Sequence, residues 1–252
     1  MVEAIRISST DDVELEAHLA LPSGASRAPG VLLLHGFPSG AVPASHVGAD
    51  LSELCERVAL EMGWVALAVR FRGCGSSTGS FSIRGWAEDA AAGLARLREA
   101  RGVAGEYLVG FGTGGALALS VAAADDGVAG VAVAGTPADF LDWIRRPEEL
   151  VARCRYAGAI PDIDDADIDL EAWKEDVRSV RPSAAAEALA DRPLLVLHGT
   201  EDEAVPQFDG RSIADAHGNA DLRIIPGAGH QLRHDPRALA VLLGWLERRR
   251  NS

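Results

Sequence analysis

Two side chains late in the chain have the types and the order for acid–base work. Asp202 lies in His198-Gly199-Thr200-Glu201-Asp202-Glu203-Ala204-Val205-Pro206, directly after the apolar run Leu194-Leu195-Val196-Leu197. His230 closes Ile224-Ile225-Pro226-Gly227-Ala228-Gly229-His230. A carboxylate at a strand end can fix the tautomer and orientation of a histidine, which then takes a proton from a nucleophile. In isolation His230 reads as an ordinary loop histidine. The acid-bearing strand that precedes it is what turns the two into a candidate pair.

A third segment has the context of a nucleophile. Gly110-Phe111-Gly112-Thr113-Gly114-Gly115 stands between the short apolar run Tyr107-Leu108-Val109 and the helix-like Ala116-Leu117-Ala118-Leu119. Small residues two before and two after the central position let a strand-to-helix turn close tightly. The pattern for that turn is G-x-S-x-G, and here the nucleophile position holds Gly112, which has no hydroxyl. A dinucleotide or phosphate loop is the alternative, but the acid expected at the end of the next strand is missing, since that strand ends Val133-Ala134-Gly135. Thr113, Ser39 and Ser76 are the candidate substitute hydroxyls.

Two more glycine turns follow apolar runs. His35-Gly36-Phe37-Pro38 comes after 31–34, and glycine there lets backbone N–H groups face a developing oxyanion. Arg72-Gly73-Cys74-Gly75-Ser76 comes after 65–69. A phosphate nest at this second loop lacks the lysine of a P-loop. Cys74 reads as a small loop residue in preference to a nucleophile.

These residues need a sheet to hold them. Residues 5–8 and 13–21 alternate polar and apolar about the turn Thr10-Asp11-Asp12, which predicts an antiparallel hairpin at a sheet edge. The runs 31–34, 65–69, 107–109, 128–133 and 194–197 are continuously apolar, as strands covered on both faces are. Helical spacing lies between them over 51–62, 83–100, 116–124, 212–217 and 236–250, with Leu94 and Leu97 on one buried face. Strand–helix alternation means βαβ units, a mostly parallel sheet and helices on both of its faces. Chemistry in such a sheet sits at the carboxyl ends of the strands. The rhythm breaks between Pro137 and Leu189, where Trp143, Leu150, Tyr156, Ile160, Trp173 and Val177 are spaced like short helices. The expected division is a core of 1–136 and 190–252 with a helical cap over 137–189. Within the cap, Asp162-Ile163-Asp164-Asp165-Ala166-Asp167-Ile168-Asp169 lacks the glycine and distal glutamate of a calcium loop. It reads as a solvated loop that caps the next helix near Asp169.

Composition narrows the function classes. The 252 residues carry 24 Lys and Arg against 37 Asp and Glu, a net charge of −13, which repels a phosphate backbone and argues against nucleic-acid binding. Three cysteines, Cys55, Cys74 and Cys154, make neither a disulfide framework nor a zinc spacing. No apolar stretch is long enough to span a membrane and no signal-peptide pattern opens the chain, so a reduced cytoplasm is expected. No cofactor and no metal are expected. The partner is a small-molecule substrate or ligand, and Trp86, Trp143 and Trp173 are candidates for lining either its pocket or the interface of a homo-oligomer.

Together the motifs resemble the α/β-hydrolase superfamily, in particular small bacterial esterase-like and dienelactone-hydrolase-like members. The resemblance rests on His35-Gly36-Phe37, Arg72 to Ser76, the turn Gly110 to Gly115, His198 to Asp202 with Val205-Pro206, and Gly229-His230. It covers nearly the whole chain, in the family's order of elbow, acid and histidine. It implies Asp202 as the triad acid, His230 as the base, and the N–H groups of Phe37 and Thr113 as the oxyanion hole. Gly112 departs from it at the nucleophile. Three classes follow: an ester- or acyl-type hydrolase in which His230 activates water or a substitute hydroxyl; a lyase or isomerase in which the His–Asp pair moves protons; and a catalytically silent binding or regulatory protein.

Overall fold

The computed structural model describes residues 2–24, 27–38, 42–161 and 168–250. The edge hairpin is β1 (Val2–Ser8) and β2 (Glu14–Ala20), antiparallel with Ile5 opposite Ala17. Next come β3 (Ala28–Leu34), helix α1 (Leu51–Met62), β4 (Val65–Val69), α2 (Ile83–Arg98), β5 (Val103–Phe111), α3 (Thr113–Ala124) and β6 (Val128–Ala134). The segment after β6 forms α4 (Leu141–Arg145), α5 (Pro147–Ala157), α6 (Leu170–Ser179) and α7 (Pro182–Ala188). The chain then makes β7 (Leu194–Gly199), α8 (Gln207–His217), β8 (Asp221–Ile225), a 3-10 turn (Leu232–His234) and α9 (Pro236–Glu247).

Among the described residues the strands form one eight-stranded sheet in the order β1-β2-β4-β3-β5-β6-β7-β8. Pairing is parallel from β4 to β8, with Leu32 beside Leu67 and Leu108, and Leu108 beside Val131. The continuous apolar runs are explained by what covers them. Leu32, Leu34, Leu67 and Val196 face the layer of α2, α3 and α8. Their alternates Val31, Leu33, Ala66 and Leu195 face α1 and α9 on the other side. Each strand residue therefore has an apolar neighbour whichever way it points, and this removes the period of two. Both layers are expected from the sequence, and both are present.

Several boundaries move, each for a local reason. Helix α3 begins at Thr113, three residues before the expected start, because the glycines of the turn enter its first turn. Helix α8 begins at Gln207, immediately after Pro206. Helix α2 ends at Arg98 and α9 at Glu247, short of 100 and 250. Helix α7 packs on α3 and α8, so this end of segment 137–189 lies against the sheet's own helices; α4, α5 and α6 pack on one another, and α6 also packs on α2. Asp169 accepts the N–H groups of Glu171 and Ala172, both at 3.0 Å, and so caps α6 as expected. The rest of the aspartate-rich patch, 162–167, lies outside the described residues. Among the described residues no helix is long and apolar enough to cross a membrane.

Candidate active site

The ends of β3, β5, β6, β7 and β8 converge on one cavity of about 360 Å³. Gly112, Thr113, Phe37 and His230 line its floor, and Phe140, Trp143, Arg145 and Arg153 contribute from the segment between β6 and β7. The structure thus brings together four of the five site residues expected from sequence at the cavity surface, with Asp202 behind them.

The turn after β5 is backbone architecture. Gly112 has φ 54° and ψ −125°, a conformation costly for any residue with a side chain. Its N–H donates to the Ala134 carbonyl at 2.9 Å, and its own carbonyl accepts from Gly115 at 3.0 Å. A Cβ at Gly110 would overlap the backbone of Gly114, and one at Gly114 would overlap the His35 carbonyl. The flanking glycines are therefore required by close approach. A Cβ at Gly112 would instead meet nothing nearer than His230 Nε2 at 3.5 Å and Gly36 Cα at 3.6 Å.

Asp202 and His230 are held together. His230 Nδ1 lies 2.9 Å from Asp202 Oδ2, in a side chain that is a quarter exposed against an acid side chain that is fully buried. Asp202 Oδ1 accepts the N–H groups of Ala204 at 3.0 Å and Val205 at 2.8 Å. Burial alone would raise the acid's pKa. Hydrogen bonds from His198, His230 and Val205 outweigh it and hold the carboxyl well below the usual carboxylate range. Asp202 is thus an anion, and an anion accepts, so the hydrogen of the bond belongs to His230 Nδ1. That leaves Nε2 of a neutral His230 as a lone pair, on the side where Gly112 lies.

The loop after β3 is fixed by His35. Its Nδ1 lies 2.8 Å from the Gly36 carbonyl and its Nε2 accepts the Phe71 N–H at 3.0 Å. Burial pushes this imidazole down to about 4, so it is neutral and can serve as donor and acceptor at once. Phe37, two residues on, packs edge to face on Trp143 with ring centroids 5.3 Å apart. Among the described residues neither the Phe37 nor the Thr113 N–H has a hydrogen-bond acceptor.

The substitute hydroxyls fare differently. Thr113 lines the cavity. Ser76 is exposed, donates to Glu16 Oε2 at 2.8 Å and accepts from Arg6 at 3.0 Å, which engages it with the edge strands. Ser39 lies outside the described residues. Cys74 is a buried thiol pushed up to about 12 by burial, so it remains protonated and is no nucleophile. Trp86 is fully buried, stacked on Phe71 at 4.7 Å, and is not among the residues that line this cavity. Trp143 does line the cavity, and Trp173 packs on Phe81 at 5.8 Å.

Sequence reasoning missed two residues next to the pair. Gly135 has φ 58°, and a Cβ there would stand 3.3 Å from His230 Nδ1 and 3.4 Å from Asp202 Oδ2. His198 Nε2 lies 3.4 Å from the same Asp202 oxygen. Gly135 follows β6, and His198 is the penultimate residue of β7, four before Asp202; neither place alone tells a residue at the pair from an ordinary strand end.

Residues 31–242 match a family model described as the alpha/beta hydrolase family. Among solved structures, the chain is similar to the alpha/beta hydrolase GrgF from Penicillium sp. sh18, with 19% identity, 99% of each chain covered and a TM-score of 0.74. It is also similar to Est1E from Butyrivibrio proteoclasticus, at 19% identity over 97% of this chain and 96% of that one, with a TM-score of 0.71. The Pyrococcus furiosus esterase Pf2001 matches at 17% identity over 99% and 91%, again with a TM-score of 0.71. At such identities the likeness is one of fold. No curated protein matches the chain.

Proposed function

The chain belongs to the alpha/beta hydrolase family, and from that premise we propose that it carries a small-molecule site of the ester or acyl type that works without a nucleophile of its own. Asp202 orients His230, His230 is the base, and the N–H groups of Phe37 and Thr113 receive a carbonyl oxygen as it gains charge. Gly112 leaves open the space of the nucleophile side chain. An acyl-enzyme at position 112 has no atom to form on, so the group that gives its proton to His230 is water or a hydroxyl of the ligand itself. The observation that carries this reading is the 3.5 Å between His230 Nε2 and the place of a Cβ on Gly112. An oxygen one bond further out comes within hydrogen-bonding reach of that nitrogen.

A second reading, proton transfer without hydrolysis by the same His–Asp pair, is favoured by that empty position, since a lyase or isomerase needs the base and no nucleophile. Gly112→Ser tests the site common to both. The variant is expected to gain hydrolysis of p-nitrophenyl acetate by orders of magnitude over the parent, because removing a triad member typically leaves only about 10³–10⁴-fold catalysis over water. Adding His230→Ala is expected to abolish the gain. A folded Gly112→Ser variant no faster than the parent sinks the reading.

A further inference from the structure

Two imidazoles, not one, meet the Asp202 carboxylate. Oδ2 receives His230 Nδ1 at 2.9 Å and His198 Nε2 at 3.4 Å, while Oδ1 is occupied by backbone N–H groups. The His198 side chain is fully buried, and its Nε2 also lies 3.0 Å from the Val205 carbonyl oxygen. A carbonyl oxygen only accepts, so Nε2 carries a hydrogen; that one N–H has the Val205 carbonyl at 3.0 Å and the Asp202 carboxylate at 3.4 Å within reach. The other ring nitrogen, Nδ1, is buried and has no hydrogen-bond partner among the described residues. It faces α8, where a Cβ on Gly210 would come within 2.7 Å of it. The ring is thus wedged between α8 and the turn 202–205 that carries the acid. Burying an imidazole with one nitrogen unsatisfied is unfavourable compared with an apolar side chain of similar size at the end of β7. The arrangement has a use only through the nitrogen that is engaged.

We propose that His198 is a positioning residue for the Asp202–His230 pair: its Nε2–H locks the acid's turn to β7 and aims Oδ2 at His230 Nδ1, which holds the base with Nε2 toward position 112. This rests on the reading of Asp202 and His230 as the working pair. His198 touches no ligand in this account and acts only through Asp202. A carboxylate with two oxygens and a free χ2 can swing. The two backbone donors hold Oδ1, and the His198 N–H is the group that restricts Oδ2 on the side away from His230.

The test follows the His230 ring by nitrogen-15 NMR in the whole protein and needs no turnover. The parent is expected to show one His230 tautomer, with the hydrogen on Nδ1. His198→Leu is expected to lose that single signature through mixed tautomers or faster exchange of the Nδ1 hydrogen. His198→Gln keeps an N–H donor at similar reach and is expected to restore it. In the Gly112→Ser background, His198→Leu is expected to lower kcat about tenfold with KM within about twofold, the pattern of a misaligned base, and His198→Gln to recover most of it. A folded His198→Leu protein with unchanged tautomer and kcat overturns the proposal. So does a His198→Gln protein that behaves like His198→Leu, since the ring would then matter for packing alone. Should His198→Leu not fold, Gly210→Ala displaces the ring without deleting it. It is expected to shift the His230 signals in the same sense, and unchanged signals there overturn the proposal too. The NMR result stands apart from esterase activity, so a Gly112→Ser variant that gains nothing counts against the proposed function and not against the role of His198.

Discussion

At the ends of β7 and β8 the cavity wall is made of side chains that hold one another. The Asp202 side chain is fully buried with both oxygens engaged, His230 lies 2.9 Å from it, and His198 lies 3.4 Å from it. At the end of β5 the wall is made of backbone. Gly110, Gly112 and Gly114 present no side chain at all, and the turn is held by the bonds of Gly112 to Ala134 and of Gly115 to Gly112. The two regions face each other across the same cavity. One presents polar side chains to the cavity. The other presents a glycine turn, and in the proposed reading it is the seat of a nucleophile with no side chain on it. Asp202 has donors on both of its oxygens, and Gly112 keeps its positive φ of 54°.

The largest expected effect breaks the acid–base side while leaving the elbow alone. In the Gly112→Ser background, Asp202→Asn is expected to lower kcat by about 10⁴-fold, the size of this change in a serine-protease triad, because an amide favours the wrong tautomer of the base. Steady-state hydrolysis of an activated ester measures it.

The next effect separates two glycines of one turn. Gly114→Ala places a Cβ into the His35 carbonyl and is expected to cost about 3 kcal/mol of stability in urea unfolding. Gly112→Ala meets nothing within 3.4 Å and bears only backbone strain, about 1–2 kcal/mol. Equal losses would show that position 112 is as crowded as its neighbours, and the proposed room for a reacting group would disappear.

Acid distinguishes the two regions more gently. The native pKa of Asp202 lies below its ordinary value, so its contribution to stability is fully present above the ordinary carboxylate pKa of about 4 and is lost as pH falls below it. Urea midpoints between pH 3 and pH 6 are expected to fall in the parent at the acid end, and to fall less in Asp202→Asn. The elbow carries no titratable group, and Gly112→Ala is expected to follow the parent's slope.

The same contrast explains what could be read in advance. Continuous runs such as 31–34 and 194–197 announce buried parallel strands because covering on two faces erases alternation. Asp202 and His230 are legible because strand, glycine turn and polar residue come in a fixed order. The ring of His198 was hidden, since nothing in a sequence tells a histidine that packs from one that donates to a carboxylate four residues on. Gly135 was hidden because its role is to leave room at the pair, and an omitted side chain has no pattern. Trp86 misled because tryptophans suit pockets, while this one is enclosed by His35, Phe71 and Phe81. The contributions of Trp143, Arg145 and Arg153 to the cavity depend on how α4 and α5 fold over the strand ends, a long-range matter that periodicity does not carry.

Whether position 112 is an empty seat beside a working base is read by fluorophosphonate labelling followed by peptide mass spectrometry, on the parent and on Gly112→Ser. A fluorophosphonate reacts with a hydroxyl that an adjacent base activates. The parent is expected to stay unlabelled and the variant to be labelled at position 112, with labelling lost when His230→Ala is added. A labelled parent would reveal a nucleophile elsewhere, and a folded Gly112→Ser variant that stays unlabelled would show that His230 does not serve this position; either result overturns the proposed site.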